Sequence, residues 1–598
     1  MLQDGLTPRV VIGTASVAAY SKLAKPPDSM RPLRMPTPTE AVRAAISADH
    51  AYADPALWIT RVPDAALLER AGALEREGPC GRVLWGVPVA VKDNIDVAGL
   101  PTSAGCPEYA YHPAVNAACV QRLLDAGAVV MGKTNLDQFA TGLVGVRSPY
   151  GVPRNAFDPA RVPGGSSSGS AVTVAAGIVP VALGTDTAGS GRVPAMFGNI
   201  VGLKPTVGSV SAGGVVPACR SIDTVSVFAG SVDAALAVLR VIAAPDAADP
   251  YSRAAPFAHL RRGGRPDAAR IATVAVPEAL AGPYAKAAAL FASTKPTGIA
   301  TFLDIARLLY DGPWVAERTA ALREVVETRP DTLHPVTRMI LTGGLDRHAV
   351  DAFDAFHALA LARREAASLF ARCDALLVPT ALPCPTLAEV AADPLGINAR
   401  LGTWTNFVNL CDLAAIAVPA GLGTDGLPFG VTLIGPAWSE GRLAALADHV
   451  HRALTQTVGA TGAALPEPAL ADPLAADETA LFCIGGHMAG LPLNSQLTAL
   501  GGRFVRTVRT VAGYRLYALG NRPGLLRAAD GGVVVGEVWA VPTAGIGTLL
   551  AQVPPPLGFG TVTLEDGPCL GFLAEAAGTA DAPDITASGG WRAWLASH

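Results

Sequence analysis

Charged residues are scarce in this sequence: Asp, Glu, Lys and Arg make up 16% of its 598 residues, and the formal net charge is −4. A balance this close to neutral argues against a broad electrostatic footprint for nucleic acid. Half of the residues are hydrophobic, which argues against extended disorder. A chain of this length is therefore expected to fold into two or more domains with substantial cores.

The sequence also lacks patterned cysteines and long apolar runs. Its nine cysteines are scattered, and no two form a Cys-x-x-Cys pair. An odd, unpatterned count predicts free thiols in a reducing compartment, so we expect a cytoplasmic protein. No apolar run is long enough to span a membrane, and we expect neither a membrane nor a nucleic-acid partner. Residues 1–35 are predicted to be a poorly ordered N-terminal extension.

Two glycine- and serine-rich turns flank one apolar segment. The first turn, residues 164–170, precedes the uncharged stretch 171–183, and the second covers residues 185–191. Small residues on both sides of a buried segment allow two backbone turns to approach closely. Each turn carries a serine, Ser166 and Ser190, and these two hydroxyls are the candidate reacting groups.

A serine hydroxyl is a weak nucleophile until a base takes its proton. No Gly-x-Ser-x-Gly elbow with a matching downstream Asp and His stands out. The alternative base is a lysine that burial keeps neutral, because desolvation disfavours the ammonium form. Lys92 fits this description, since it ends a predicted apolar strand at 86–91 and begins the polar turn Lys92-Asp93-Asn94. A serine-rich loop alone is more often a flexible turn, and only its combination with Lys92 indicates catalysis.

Together these residues resemble the amidase signature family, whose members hydrolyse amides with a Ser–cis-Ser–Lys triad. The resemblance spans about residues 37–450 and implies Ser190 as the nucleophile, Ser166 as the bridging serine and Lys92 as the base. It also implies an oxyanion hole formed by the backbone amides of Thr187, Ala188, Gly189 and Ser190. Many members carry glycine where this chain has Ala188, which suggests a small substrate.

The resemblance and the alternation of helices with apolar strands both indicate an α/β fold, in which helices cover both faces of a mixed central sheet. We assign this amidase-signature fold to residues 36–455, with Thr37 or Thr39 capping its first helix and a helix at 440–454. A linker rich in Ala, Pro, Gly and Thr follows at 456–478. Short β-rich runs from 479 to 598 predict a small α+β domain.

Two further segments are expected near the site. Thr134 or Asn135 can cap a helix that contains Asp137 and Gln138. Downstream, Arg220 and Asp223 could form a buried pair or edge the pocket.

Four segments narrow the resemblance to the allophanate hydrolase subfamily. They are LDQFATGLVG, GTDTAGSGRVPA, GVVPACRS and RLLYDGPWVAER, which begin at residues 136, 184, 214 and 307. The resemblance implies that Tyr310 and Arg318 hold the substrate carboxylate, for which the planar fork of arginine is suited. On pattern alone, it is equally open that Tyr310 is an ordinary core residue and Arg318 an ordinary surface residue.

The C-terminal segment resembles the allophanate hydrolase C-terminal domain, which is related in fold to γ-glutamyl cyclotransferases. His487 lies in a glycine-flanked turn and matches the functional histidine of that domain. Glu537 matches an acidic position that could act as an acid or a base. It is equally open that His487 only caps a helix, and that Glu537 is only paired with an arginine or with the backbone.

The reaction that this resemblance implies is hydrolysis of allophanate without a metal or organic cofactor. The amidase site would release one ammonia and N-carboxycarbamate, whose decarboxylation the C-terminal domain would promote. The subfamily also implies a homodimer and urea carboxylase as a possible functional partner in urea or cyanuric acid degradation. Two alternatives stay open: an amidase of other specificity, such as a malonamate hydrolase, and a subunit of the aminoacyl-tRNA amidotransferase type.

Overall fold

The structure is a computed structural model that describes residues 36–423, 425–469 and 472–598. The predicted N-terminal extension, residues 1–35, lies outside the described residues. The described residues form two units with separate β-sheets and separate hydrophobic cores. Residues 36–469 form the large unit and residues 472–598 form the small unit.

The large unit is built on a mixed sheet. Its strands are β1 (Trp58–Arg61), β2 (Pro88–Lys92), β3 (Val129–Thr134), β4 (Val181–Asp186), β5 (Val201–Lys204), β6 (Thr224–Ala229), β7 (Arg270–Thr273), β8 (Ser293–Pro296), β9 (Ala375–Pro379), β10 (Leu413–Leu422), β11 (Pro428–Pro436), β12 (Thr457–Val458) and β13 (Ala463–Ala464). The first eleven strands form one sheet in the order β1-β3-β2-β4-β6-β5-β10-β11-β9-β7-β8, and β12 pairs only with β13 within the described chain. Strand β2 runs parallel to both β3 and β4, whereas β6, β5, β10 and β11 pair in antiparallel fashion.

Helices surround this sheet. They are α1 (Pro38–Tyr52), α2 (Asp64–Glu77), α3 (Ala118–Asp125), α4 (Ser168–Ala175), α5 (Val193–Phe197), α6 (Val232–Ile242), α7 (Glu278–Ala288), α8 (Ala300–Arg307), α9 (Trp314–Ala321), α10 (Arg323–Thr328), α11 (Pro335–Thr342), α12 (Ala349–Phe370), α13 (Leu387–Ala392), α14 (Gly396–Leu401), α15 (Asn406–Leu410) and α16 (Glu440–Leu454).

Both faces of the sheet are covered. Successive side chains of a strand point to opposite faces. In β4, Val181 and Leu183 join one buried cluster with α6 and α16, whereas Ala182 joins another with α1, α2 and α4. This arrangement confirms the predicted α/β class with a mixed central sheet.

Local sequence signals predicted several of these elements well. Thr37 caps α1: its hydroxyl accepts from the Glu40 amide at 3.3 Å, and the Glu40 carboxylate accepts from the Thr37 amide at 2.9 Å. Helix α16 has the predicted bounds. The reciprocal cap satisfies amides that the first helical turn cannot pair internally.

The helix predicted around Asp137 and Gln138 is wrong. Residues 138–140 form only a single 3₁₀ turn, in which Phe139 has a φ of 52°. Thr134 ends β3, and the Asn135 amide nitrogen donates to the carbonyls of Ala56 and Gly151 at 2.8 and 3.0 Å. The Asn135 Oδ1 atom, which would have capped a helix, accepts from the Ser148 hydroxyl at 2.6 Å and from the Leu136 amide at 2.8 Å.

The small unit is an α+β arrangement. Its elements are β14 (Glu478–Cys483), α17 (Asn494–Ala499), β15 (Arg503–Arg509), β16 (Tyr514–Leu519), β17 (Arg522–Arg527), β18 (Val535–Pro542), α18 (Thr543–Leu550), β19 (Leu557–Leu564), β20 (Gly567–Ala574) and α19 (Trp591–Ala596). Five strands form a sheet in the order β15-β18-β14-β20-β19, and β16 pairs with β17. The predicted linker, residues 456–478, includes the β12–β13 ribbon, and the exact domain boundaries stay a prediction.

Across the described ranges, no helix is both long and apolar enough to cross a lipid bilayer.

Candidate active site

The parallel pairing of β2 with β4 brings two polar loops together. Lys92 is the last residue of β2, and Thr185 and Asp186 end the neighbouring strand β4. The carboxyl ends of parallel strands meet at the same edge of a sheet, which is where ligands of open α/β sheets commonly bind. The sheet thus carries the predicted base to the turn that holds Ser190.

Lys92 is completely buried, with 0% of its surface exposed. Its Nζ donates to Ser166 Oγ and to Thr185 Oγ1, both at 2.8 Å. Burial lowers the pKa of Lys92 to about 7, and the charges of Asp137, Asp223 and Asp186 offset only part of that effect. A substantial fraction of this amine is therefore neutral near pH 7 and able to accept a proton.

Ser166 lies in a cis Gly165–Ser166 peptide just before α4. The Asp137 amide donates to the Ser166 carbonyl at 3.1 Å. A Cβ atom at Gly165 would collide with the Asp137 carboxylate and would come within 2.5 Å of the Gly145 nitrogen. Glycine is therefore required where the loop that carries Ser166 meets the loop at 137–145.

The turn that carries Ser190 is held by one buried carboxylate. Asp186 accepts two hydrogen bonds from Arg192, both at 2.9 Å, and two more from the amides of Gly189 and Gly191 at 2.9 and 3.0 Å. Burial raises the pKa of Asp186, but the charge of Arg192 and these bonds outweigh it and lower the net pKa. The carboxylate stays ionised and fixes both ends of the turn.

Ser190 is 3% exposed, and its Oγ donates to the Gly142 carbonyl at 3.3 Å. Lys92 contacts Ser166, but within the described residues no hydrogen bond joins Ser190 to Ser166. The predicted proton relay therefore needs the Ser190 hydroxyl to turn from the Gly142 carbonyl toward Ser166.

Three of the four predicted oxyanion-hole amides are unoccupied by protein acceptors. The amides of Thr187, Ala188 and Ser190 make no hydrogen bond to another described residue. The fourth amide, that of Gly189, donates to Asp186. The Ala188 carbonyl accepts from Thr405 Oγ1 at 2.6 Å, which holds the turn from the opposite side.

Tyr310 and Arg318, which the sequence suggested as a carboxylate clamp, lie together. Arg318 is 1% exposed, and its Cζ stands 4.9 Å from the centre of the Tyr310 ring. Its Nε and Nη2 atoms and the Tyr310 hydroxyl are buried, yet none has a partner in the described part of the chain. Buried donors without partners are costly, so this pair presents unused hydrogen-bonding capacity to an anion.

Thr141 links this pair to the nucleophile. Arg318 Nη1 donates to Thr141 Oγ1 at 3.4 Å, and the Thr141 carbonyl accepts from Arg147 Nη1 at 2.9 Å. The next carbonyl in the chain, that of Gly142, accepts from Ser190. The cation and the nucleophile therefore contact two consecutive residues of the same loop, whose Cα atoms are about 3.8 Å apart.

The proposed Arg220–Asp223 pair does not form. Arg220 is exposed, whereas Asp223 is buried and accepts from the Ala218 amide at 2.8 Å and from the Thr187 hydroxyl. Burial raises the pKa of Asp223 to about 6, although these bonds oppose the shift. Asp223 instead braces Thr187, one of the predicted oxyanion-hole residues.

In the small unit, His487 and Glu537 have different surroundings. His487 is half-buried, stacks on Phe572 with ring centroids 5.0 Å apart, and lies 2.9 Å from Gln496 Oε1 through its Nε2. Burial lowers the pKa of His487, and the hydrogen bond to Gln496 offsets part of this shift. The ring is therefore mainly neutral near pH 7.

Glu537 is fully engaged. Its carboxylate accepts from Arg265 at 2.6 Å and Arg592 at 2.7 Å, and from the Ala489 amide and Trp539 Nε1 at 2.8 and 3.0 Å. This agrees with the alternative in which the glutamate is paired with arginine. The two arginines tie this carboxylate into the packing between the units and the last helix.

Several residues of this site were missed from the sequence, chiefly Thr185, Asp186, Arg192 and Thr141. Asp186 and Arg192 bracket Ser190 in an otherwise uncharged stretch. That isolated pair of opposite charges was a usable signal, because buried charges are normally paired. No group of three or more His, Cys, Asp or Glu side chains in the described ranges is arranged to hold a metal ion.

Two family models match this chain. The amidase family model matches residues 40–297 and 298–444, and the model of the allophanate hydrolase C-terminal domain matches residues 479–596. Urea amidolyase of Saccharomyces cerevisiae is 42% identical over 575 residues, which are 90% of this chain and 31% of that protein. This chain thus spans less than a third of that relative.

Two further matches cover different shares of this chain. The structure of Kluyveromyces lactis allophanate hydrolase aligns with a TM-score of 0.75 and 40% identity, over 94% of this chain and 97% of that chain. A glutamyl-tRNA(Gln) amidotransferase subunit from Nitratidesulfovibrio vulgaris is 36% identical over 436 residues, which are 65% of this chain and 88% of that protein.

Arg192→Met should strongly destabilise the large unit, because it leaves the buried Asp186 carboxylate without its cation. Breaking a buried ion pair lowers the free energy of unfolding by about 3–5 kcal/mol. Urea titration of both variants would measure this loss. The matched control is Arg400→Met, whose partner Asp393 is 3.2 Å away and about half exposed, at 48%. Equal losses in the two variants would contradict a special role for the buried pair.

Proposed function

This chain belongs to the amidase family of amidohydrolases and carries the C-terminal domain of allophanate hydrolases, and we propose that it hydrolyses allophanate, urea-1-carboxylate. The observation that carries the proposal is the buried Arg318, whose Nε and Nη2 atoms have no partner among the described residues. A guanidinium held beside a nucleophile turn suits an amide substrate with a carboxylate at its other end. Allophanate is a small molecule of this kind.

In the proposed mechanism, Ser190 attacks the terminal amide carbonyl of allophanate. Its proton passes to Ser166 and from there to the neutral amine of Lys92, which already contacts Ser166 at 2.8 Å. The oxyanion would be stabilised by the free amides of Thr187, Ala188 and Ser190. The Lys92 ammonium then returns the proton through Ser166 to the leaving nitrogen, and ammonia departs.

Water completes the turnover of the acyl-enzyme. The same relay takes a proton from the attacking water, and cleavage of the ester restores the Ser190 hydroxyl and releases N-carboxycarbamate. Throughout these steps Arg318 and Tyr310 would hold the distal carboxylate, so that the reacting carbonyl is oriented toward Ser190. The buried methyl of Ala188 fits a site for a small substrate.

We assign the second stage, decarboxylation of N-carboxycarbamate, to the small unit. His487 is the proposed functional residue, because its ring is only partly covered and its orientation is held by Gln496 and Phe572. The contacts of Glu537 support a structural role in place of the acid–base role suggested from the sequence. The likeness of this unit to γ-glutamyl cyclotransferases stays a prediction.

We also propose a compartment, an oligomeric state, a partner and domain boundaries for this chain. We propose a cytoplasmic homodimer, for which the nine free cysteines of the described residues support a reducing compartment. We also propose urea carboxylase as a functional partner that supplies allophanate, because a urea amidolyase is 42% identical over 90% of this chain. We assign residues 36–455 to the amidase domain and 479–598 to the second domain, joined by the linker at 456–478.

Stoichiometry tests the two stages. Ser190→Ala should release no ammonia from allophanate, because the first bond is never broken. His487→Ala should still release the first ammonia while N-carboxycarbamate accumulates, which ¹³C NMR of labelled allophanate would detect. The control Ser47→Ala changes an exposed serine of α1 and should behave as the unmodified chain. Ammonia release by Ser190→Ala at the unmodified rate would refute the nucleophile.

Arg318→Ala should raise KM for allophanate by roughly tenfold or more, since a charged hydrogen bond contributes about 1.5–3 kcal/mol. KM for a neutral amide of similar size should change far less. Arg307→Ala, at a position 75% exposed on α8, serves as the control for loss of one arginine. An equal rise in KM for both substrates would contradict the role of Arg318 as a carboxylate clamp and would favour an amidase of other specificity.

The pH dependence of kcat should report the pKa of Lys92. Below about pH 7 the amine is protonated and cannot take the serine proton, so kcat should rise with pH and level off above this value. Asp223→Asn removes a charge that raises the Lys92 pKa, so the inflection should move to lower pH. A flat profile between pH 5.5 and 9, with the fold intact by circular dichroism, would argue against a lysine base.

A further inference from the structure

A cavity of about 540 Å³ lies between the large unit and the small unit. The large unit contributes the segment 257–263, the end of α12 and residues 436–442, and the small unit contributes α17 and residues 501–503. Binding sites for small molecules commonly occupy clefts of this size between domains. Neither Ser190 nor Arg318 lines this cavity.

The walls of the cavity carry charge of one sign. Four basic or imidazole side chains line it, namely His259, Arg261, Arg442 and Arg503, and no described Asp or Glu does. Two of these cations have protein partners: Arg503 pairs with Glu478 at 2.7 Å, and Arg261 donates to the Pro473 carbonyl at 2.9 Å. The other two side chains are therefore the ones available to a ligand.

Arg442 is the central group. It makes no hydrogen bond and no ion pair with any described residue, and its Nε is buried. The charge of Asp374 acts on Arg442, but Asp374 is paired with Arg270 at 3.1 Å. Nearby, the buried His259 Nε2 has no hydrogen-bond partner and lies 3.9 Å from Glu440. An uncompensated guanidinium at a cavity wall favours binding of an anion.

The small-unit wall connects this cavity to His487. Gln496 of α17 lines the cavity, and its Oε1 is 2.9 Å from His487 Nε2. Ser495 and Thr498 of the same helix add hydroxyl groups: that of Thr498 donates to the Ser495 carbonyl at 3.3 Å, and that of Ser495 can donate to an anion. A ligand bound by Arg442 would thus rest against the segment that orients His487.

We propose that this interdomain cavity binds a small dicarboxylate through Arg442, and that its natural ligand is the dianion that the amidase site releases. The ligand class follows from the cationic wall and the Ser495 hydroxyl group of α17. The identity of the ligand as N-carboxycarbamate rests on the proposed function. The cavity then holds the second-stage substrate against α17, whose Gln496 contacts His487.

Malonate is the probe, because it is a stable dicarboxylate with a methylene in place of the nitrogen of N-carboxycarbamate. Calorimetry would use the full chain carrying Arg318→Gln, so that the amidase clamp does not bind malonate. In this background Arg442→Gln should weaken malonate binding by at least about tenfold, as expected for loss of a charged hydrogen bond. Arg442→Lys, which keeps the charge, should retain part of the affinity, and Arg76→Gln on α2, an exposed arginine, should retain all of it.

Unchanged malonate affinity in a folded Arg442→Gln protein would overturn the proposal. Equal affinity for acetate and malonate would overturn the dicarboxylate class. Because binding is measured without turnover, failure of allophanate hydrolysis is a distinct result. If the protein binds malonate through Arg442 but does not hydrolyse allophanate, the dicarboxylate site is supported and N-carboxycarbamate is excluded as its natural ligand.

Discussion

The large unit depends on one unfavourable burial, that of the Lys92 amine. Removing an ammonium group from water costs several kcal/mol unless a carboxylate compensates for it. Here the amine contacts two hydroxyl groups, those of Ser166 and Thr185, and the nearby aspartates act on it without a direct bond. The outcome is a pKa of about 7, which makes an ordinary lysine into a base suited to neutral pH.

The surrounding loops keep that environment rigid. Asp186 binds both ends of the Ser190 turn and a buried arginine, whereas Asp137 accepts from the amides of Gly145 and Arg147 at 3.0 and 2.9 Å. Each of these carboxylates therefore directs its charge to backbone amides or a guanidinium, and neither forms an ion pair with Lys92. This division leaves the pKa of Lys92 lowered to about 7 while the loops keep their arrangement.

The two units are also joined through charge. Glu537 of the small unit is bound by Arg265 of the large unit, 272 positions earlier in the chain, and by Arg592. Arg442 of the large unit faces the small unit with no partner among the described residues. Arg265 is thus one of several large-unit arginines that contact the small unit, together with Arg240 and Arg261. Arg442 leaves a cationic space there for a small anion, so a two-stage reaction would have both of its sites on a single chain.

The sequence by itself determined the Thr37 cap and α16, because both depend on residues that are neighbours along the chain. It indicated the α/β class through the alternation of helices with apolar strands, and it suggested the candidate triad through the resemblance to a family. Tyr310 and Arg318 were suggested by resemblance, and only the structure showed that they lie together with unused donors. The Asn135 oxygen that was predicted to cap a helix accepts from Ser148, and Asp223 bonds to Thr187 in place of the nearby Arg220. Such contacts depend on which strands become neighbours in the sheet, since pairing distant segments decides which polar groups must satisfy one another when water is excluded.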